Sequence, residues 1–268
     1  MGTIDSVANG FEAAKQHLRQ PINHVLPPSV LLYLVPPLPS IRTLLVLLSL
    51  SLLVVLRIWC ILPGRNPHPT VPRSSANKDG CTVGVFLGSG GHTTELLQLV
   101  SALPTSRYPR RIYLVSSGDK FSLNKARQLE RKLTGDERVR AIQIPRARNV
   151  HQSFLTAPLT TAYSMAFCIY TVALLPLVRP QDAKRVLADV ILMNGPGTCV
   201  PIVAAVYLLR ILGLPSPKLM YIESFARVTS LSLTAKLVRP LVDRFVLQWP
   251  RQPPRESSAN TVYSGWLI

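Results

Sequence analysis

The sequence predicts an α/β fold: a single Rossmann-like lobe, a parallel sheet with helices on both faces, preceded by one transmembrane helix. Three observations carry that expectation. Short β-rich runs alternate with helical patterns from residue 81 to residue 268, and a parallel sheet requires such alternation because each strand needs a crossover to return. Two glycine-rich loops each follow a β-rich run and open a helix. An unbroken apolar stretch near the start is long enough to cross a bilayer.

Taken in order, residues 1–39 form a polar lead followed by "VLLYLVPPLPS", Val30 to Ser40. Pro36, Pro37 and Pro39 break that apolar run, which suits a lumenal or interfacial tail better than a span. Residues 40–62 read "SIRTLLVLLSLSLLVVLRIWCIL", with Arg42 and Arg57 near the ends and no acidic residue. At ~1.5 Å per residue this helix covers roughly 35 Å, enough for a ~30 Å hydrocarbon core. Both arginines can snorkel, and Trp59 sits where an interfacial aromatic belongs. A buried core helix is the other reading, but the preceding residues hold nothing to cover it. A cleaved signal peptide fits poorly: Lys15 is balanced by Glu12, and no small-x-small site follows. Arg65, Arg73 and Lys78 follow the span closely, whereas only distant Lys15 and Arg19 precede it. The larger C-terminal part is therefore expected in the cytosol.

Residues 63–80 turn to Pro, Gly, Asn, Ser and charge, a linker. In the domain 81–268, strands are expected at 81–87, 111–117, 138–144, 187–194, 218–223 and 244–249. Helices are expected at 93–103, 121–133, 153–178, 198–212 and 231–242.

Composition narrows the partner. Thirty Lys and Arg against thirteen Asp and Glu leave a formal charge of +17, which asks for nucleic acid or an anionic membrane. No basic helix with interleaved aromatics appears, so nucleic acid is not expected and the membrane reading leads. Cys60, Cys81, Cys168 and Cys199 show no C-x-x-C spacing and no His at ligand distance. They read as small buried hydrophobes; no metal site and no cofactor are expected.

The two loops are "GSGGH", Gly88 to His92, and "NGPGT", Asn194 to Thr198. Both lie at carboxyl ends of strands, where sheets of this class bind ligands. Gly88, Ser89, Gly90 and Gly91 on one side, and Asn194, Gly195, Gly197 and Thr198 on the other, offer backbone N–H groups and helix N-termini to an anionic group such as a diphosphate. Tight strand-to-helix turns explain the glycines equally well. Thr93 stands where a dinucleotide fingerprint needs its third glycine, and no phosphate loop of the GxxxxGK[ST] type is present. A membrane-anchored NAD(P)- or flavin-dependent oxidoreductase stays open as a rival. His92 sits at the positive end of a helix, which favours neutral imidazole able to accept a proton. The alternative is that it caps the helix with Thr93, Thr94 and Glu95.

Four blocks in order, "GSGGHTTELLQLV", "NGPGTCVPI", "YIESFARVTSLSLTAKLVRPLVDRFVLQWP" and "YSGWLI", resemble the membrane-anchoring subunits of the two-part UDP-N-acetylglucosamine transferase of the dolichol pathway, the family of the fourteenth protein of the asparagine-linked glycosylation series. That family's fold is similar to the N-terminal half of the bacterial peptidoglycan N-acetylglucosaminyltransferase, a two-lobed GT-B glycosyltransferase. The resemblance implies a division of labour at the endoplasmic reticulum membrane. This chain holds the dolichol-linked diphosphate sugar, a soluble subunit binds the donor, and UDP-GlcNAc enters the shared cleft. The reaction is inverting transfer of the second GlcNAc, with little activity in this chain alone. A recruiting scaffold that binds no acceptor is a second rival.

Within that frame His92, Glu95 and Glu223 are the candidate catalytic residues. Glu223 either meets the acceptor at the crevice or pairs with Arg227 at the surface. Arg146 and Arg148 either clamp the acceptor diphosphate or bind lipid head groups. Trp266, Leu267 and Ile268 dock within the sheet or on the partner subunit. The run Ser153 to Val178 repeats apolar residues at three- and four-residue steps with Thr and Ser between, which suits a helix packed on the sheet or lying in the interface more than a second span.

Overall fold

The computed structural model describes residues 39–63, 80–148, 152–153, 155–179, 185–250 and 260–267, with short pieces at 9–10, 12–16 and 19. The expected linker and proline-broken run fall almost wholly outside them. The chain divides into two compact units, Met1–Leu53 and Val54–Ile268.

Helix α1 (Ile41–Ile61) is leucine-rich and carries no acidic residue. Its large apolar side chains are exposed, Leu48 and Leu52 at 65% each. Ser49 and Ser51 return their hydroxyls to the carbonyls of Leu45 and Leu48, both at 2.8 Å, so neither leaves an unpaired polar group. At its end, within the second unit, Ile61 joins the core of the sheet body and Arg57 donates to the carbonyls of Arg210 and Ile211, each at 3.2 Å.

The second unit holds a seven-stranded sheet in the order β3-β2-β1-β4-β5-β6-β7. The strands are β1 (Thr82–Leu87), β2 (Arg110–Ser116), β3 (Arg140–Ile144), β4 (Val190–Met193), β5 (Lys218–Ile222), β6 (Arg244–Leu247) and β7 (Thr261–Tyr263), and every pair is parallel. The helices are α2 (Gly91–Ser101), α3 (Lys120–Thr134), α4 (Ala157–Cys168), α5 (Leu175–Val178), α6 (Cys199–Ile211) and α7 (Leu233–Val238). Strand β1 is buried along its whole length, and its residues alternate between two cores, as the pleat requires. Phe86 packs in the cluster of Ile191, Met193, Ile202 and Val206, whereas Val83, Val85 and Leu87 pack with Leu96 and Val100 of α2. Helices therefore cover both faces, and the α/β expectation holds.

Six expected strands appear, with ends shifted by up to three residues. The seventh, β7, was not expected: three residues give too short an alternation to read, and Phe245 to Leu247 supply its register from the neighbouring strand. Helix α7 is shorter than expected.

The long apolar run forms α4, a π-helical stretch Ile169–Leu174, and α5. Pro176 explains the widening: it has no N–H to offer, and its ring would collide with the carbonyl four residues back in a regular α-helix. Cys168 and Val172 are buried in the core with α6, while Leu155, Leu159, Tyr163 and Tyr170 stay exposed. By length and composition, both α1 and the helix Ala157–Val178 could cross a membrane. All four cysteines are free thiols; Cys168 and Cys199 are buried, Cys60 and Cys81 half-buried.

Candidate functional site

The strand order reverses between β1 and β4, so the loops that leave these two strands flank the crevice of the sheet. The first loop is bent by backbone, not by a side-chain cap. Gly90 is the N-cap of α2 at φ 58° and no side chain bonds to the cap. Ser89 holds φ 95°, unusual for a residue with a Cβ. A directed hydrogen-bond chain keeps it there. The Ser89 N–H donates to Thr93 Oγ1 at 3.1 Å, Thr93 and Ser122 hydroxyls meet at 2.7 Å, and Ser122 Oγ donates to Asp119 at 2.6 Å. Because Ser122 donates onward, Thr93 must donate to Ser122 and accept from Ser89. The Ser89 N–H thus points inward, away from any ligand.

The second loop closes against the first through two glycines. A Cβ on Gly88 would lie 2.3 Å from Pro196 Cδ, and a Cβ on Gly195 would lie 2.5 Å from His92 Cγ. Gly195 also needs φ +99°, which a residue with a Cβ adopts only under strain. Tyr221 of β5 donates to the Gly195 carbonyl at 3.2 Å and fixes this loop from below. Around Gly90, Gly91 and Gly197 a Cβ would meet nothing within 4 Å, so the backbone of both loops is open to approach there.

Between the loops lies a polar cluster. His92 Nδ1 is 2.8 Å from Asn194 Oδ1; the ring bonds across the crevice and does not cap α2. Asn194 is fully buried and donates its Nδ2 to Glu95 Oε2 at 2.7 Å. Glu95 further accepts from Ser224 Oγ at 2.9 Å and from the Phe225 N–H at 3.3 Å. Loops after β1, β4 and β5 are thereby tied at one carboxylate.

The remaining candidates divide. Glu223 is buried at 2% exposure, and its oxygens accept from the N–H groups of Ser224 and Ser232 and from the Ser232 hydroxyl. Ser232 caps α7 by accepting from Ala235 N–H, so Glu223 braces that cap. Thr198 Oγ1 accepts from the Ala147 N–H at 3.2 Å, and Thr160 and Thr161 donate to the Ala147 carbonyl at 2.8 and 3.0 Å. This pins the Arg146–Arg148 segment to the second loop. Arg146 is half-buried; Arg148 is exposed and folds back onto the Gln152 carbonyl. Trp266 is 67% exposed and packs on Trp249 and Phe225 at 5.3 and 6.0 Å between ring centroids. Leu267 donates its N–H to Gln248, and Ile268 lies outside the described residues.

Ser224 and the Phe225 amide were not anticipated as members of the cluster. Nothing local in "YIESF" marks Ser224; only the meeting of β1 and β5 loops brings it to Glu95.

The family model described as "Oligosaccharide biosynthesis protein Alg14 like" matches residues 83–267. Among similar proteins is the UDP-N-acetylglucosamine transferase subunit alg14 of Schizosaccharomyces pombe, 42% identical over 200 residues that cover 75% of this chain and 89% of that protein. The subunit ALG14 of Cryptococcus neoformans (strain JEC21) is 37% identical over 222 residues, covering 82% and 93%. The subunit ALG14 of Homo sapiens is 33% identical over 226 residues, covering 82% and 94%.

Proposed function

The chain belongs to the Alg14-like family of oligosaccharide-biosynthesis proteins, and from that premise we propose that it is the membrane-anchoring, acceptor-binding subunit of a heteromeric UDP-N-acetylglucosamine transferase. It adds the second GlcNAc to GlcNAc-diphosphodolichol on the cytosolic face of the endoplasmic reticulum. Helix α1 is the single anchor, and a soluble subunit brings the donor. The observation that carries the reading is the half-buried His92 imidazole, held in the crevice between two glycine loops that present open backbone beside it.

The chemistry follows from these groups. The acceptor diphosphate lies against the backbone of Gly90, Gly91 and Gly197, near the N-termini of α2 and α6, where partial positive charge gathers. Arg146 adds a cation at the edge. The 4-hydroxyl of the lipid-linked sugar attacks the anomeric carbon of UDP-GlcNAc; the bond from that carbon to the diphosphate breaks, UDP leaves with the electron pair, and the hydroxyl proton passes to His92 Nε2. Inversion results. Glu95 and Glu223 already accept several hydrogen bonds each, which leaves His92 as the base. The soluble partner supplies the lobe that binds UDP-GlcNAc, and Trp266, Leu267 and Ile268 are a docking element for it.

The test is transfer of labelled GlcNAc to a phytanyl-diphosphate-linked GlcNAc acceptor. The pair of subunits should transfer and this chain alone should not, while this chain alone should bind the acceptor. A chain that recruits the soluble subunit but binds no acceptor would be a scaffold, and the reading would fall.

A further inference from the structure

We propose that Glu95 and Asn194 are positioning residues that hold His92 in one tautomer, with the proton on Nδ1 and the lone pair on Nε2. The functional half of this inference rests on the proposed role of His92 as base; the structural half stands on the hydrogen bonds alone.

The argument runs from the carboxylate outward. A carboxylate only accepts hydrogen bonds. The Asn194 atom 2.7 Å from Glu95 Oε2 must therefore be the amide nitrogen, since a flipped amide would set oxygen against oxygen. That choice turns Asn194 Oδ1 toward His92. An amide oxygen also only accepts, so His92 Nδ1, at 2.8 Å, must carry the hydrogen. In neutral imidazole the other nitrogen then has none. Nε2 is left as an acceptor, the state a general base requires.

Each member of the relay is itself fixed. Glu95 is oriented by Ser224 Oγ and the Phe225 N–H. Asn194 is fully buried, with no solvent to take its groups if it rotated. Gly195 leaves the space beside the second loop that the imidazole ring occupies. The arrangement resembles an acid–amide–imidazole relay. In a Ser-His-Asp triad the orienting carboxylate touches the imidazole itself; here a neutral amide stands between them. The ring is thus told where its proton sits without a full negative charge against it.

The experiment uses the full chain in detergent micelles with ¹⁵N-labelled histidine, His92 being assigned by loss of its signals in His92→Gln. At a pH where the ring is neutral, wild-type His92 should show a protonated Nδ1 and a bare Nε2. Glu95→Ala frees the Asn194 amide to flip and should move His92 toward Nε2–H. It should also lower kcat of the reconstituted pair by about 10-fold or more with the acceptor KM little changed, because a wrong tautomer disables proton transfer. Glu95→Gln, whose carbonyl can still take the Asn194 hydrogen, should keep the Nδ1–H tautomer. Wild-type His92 with its proton on Nε2 would overturn the inference, as would an unchanged tautomer in folded Glu95→Ala. The wild-type spectrum decides the matter even if a variant fails to fold. A tautomer as expected, together with a His92→Ala pair that transfers at the wild-type rate, would defeat the base assignment and leave the positioning relay standing.

Discussion

Two carboxylates in this fold sit at the centre of polar networks, and they are built to opposite ends. Glu130 of α3 faces the cation Arg111: the guanidinium donates to both carboxylate oxygens at 2.5 and 2.9 Å, and the Tyr113 hydroxyl adds a third bond at 2.6 Å. Arg111 also donates to the Tyr108 carbonyl. That network is closed, with charge matched to charge. The Glu95 carboxylate instead gathers neutral donors, an amide, a hydroxyl and a backbone N–H, from three loops. One of them belongs to a chain in which, on the tautomer inferred above, His92 Nδ1 donates to Asn194 and Asn194 donates to Glu95; the second ring nitrogen of His92 completes no bond of that relay. A closed network spends its polarity on holding α3 to β2; the directed one includes the imidazole proposed above as the base.

The largest expected effects test that contrast from both sides. Glu130→Ala leaves the Arg111 side chain, 1% exposed, without its counter-charge, and the fold should lose ~3–5 kcal/mol, read as a fall in the denaturation midpoint of the micellar protein. His92→Ala should behave in reverse: the midpoint stays near wild type while the reconstituted transfer rate falls ~10²- to 10⁴-fold. Were both variants to lose stability alike, the distinction between closed and directed networks would fail.

Gly195→Ala comes next. The new Cβ meets the His92 ring at 2.5 Å and must sit at φ +99°, so a cost of ~1–3 kcal/mol is expected from the backbone alone. Displacement of the imidazole should cut transfer more than it cuts stability. Equal transfer in the two proteins would show that the ring tolerates displacement.

Acid should separate the networks more gently. Burial by itself would raise the Glu130 carboxyl, but the hydrogen bonds from Arg111 and Tyr113, and the Arg111 charge, carry it below its ordinary 4.5. A carboxyl that ionises more readily in the fold than in the unfolded chain stabilises fully above about pH 4.5. That contribution drains as pH falls through the depressed folded value. Replacement by Glu130→Gln should flatten this acid limb, and a midpoint that still falls as steeply below pH 4.5 would point to other carboxylates.

The smallest effect belongs to Arg57. Its two bonds cap the carbonyl end of α6 from an exposed position, so Arg57→Ala should cost under ~1 kcal/mol. Glu223, by contrast, braces the Ser232 cap from a buried site, and its hydrogen bonds resemble those of Glu130 more than those of Glu95 in being closed.

Much of this was legible along the chain. Strand and helix alternation gave a parallel sheet because β-rich runs such as Val83 to Leu87 and helical patterns such as Thr93 to Leu103 differ in period, and period is local. The apolar character of α1 is likewise carried by its own residues. The two glycine loops could be placed at strand ends for the same reason. The cluster was half legible: His92 and Asn194 each stood in a marked loop and Glu95 near the start of the helix that follows the first, yet nothing in the spacing said that His92 would meet Asn194 and decline the cap. Ser224 carried no mark at all.

The sequence by itself determined the fold class, the apolar helix and which glycine loops stand at strand ends, since each follows from neighbours within a few residues. Tertiary structure alone decided which carboxylate is closed and which is directed. Glu95 and Ser224 are 129 residues apart, and an acceptor acquires its donors only when strands β1, β4 and β5 set their loops side by side. The direction of a hydrogen bond is a property of the pair, and a chain read one residue after another contains no pairs until it folds.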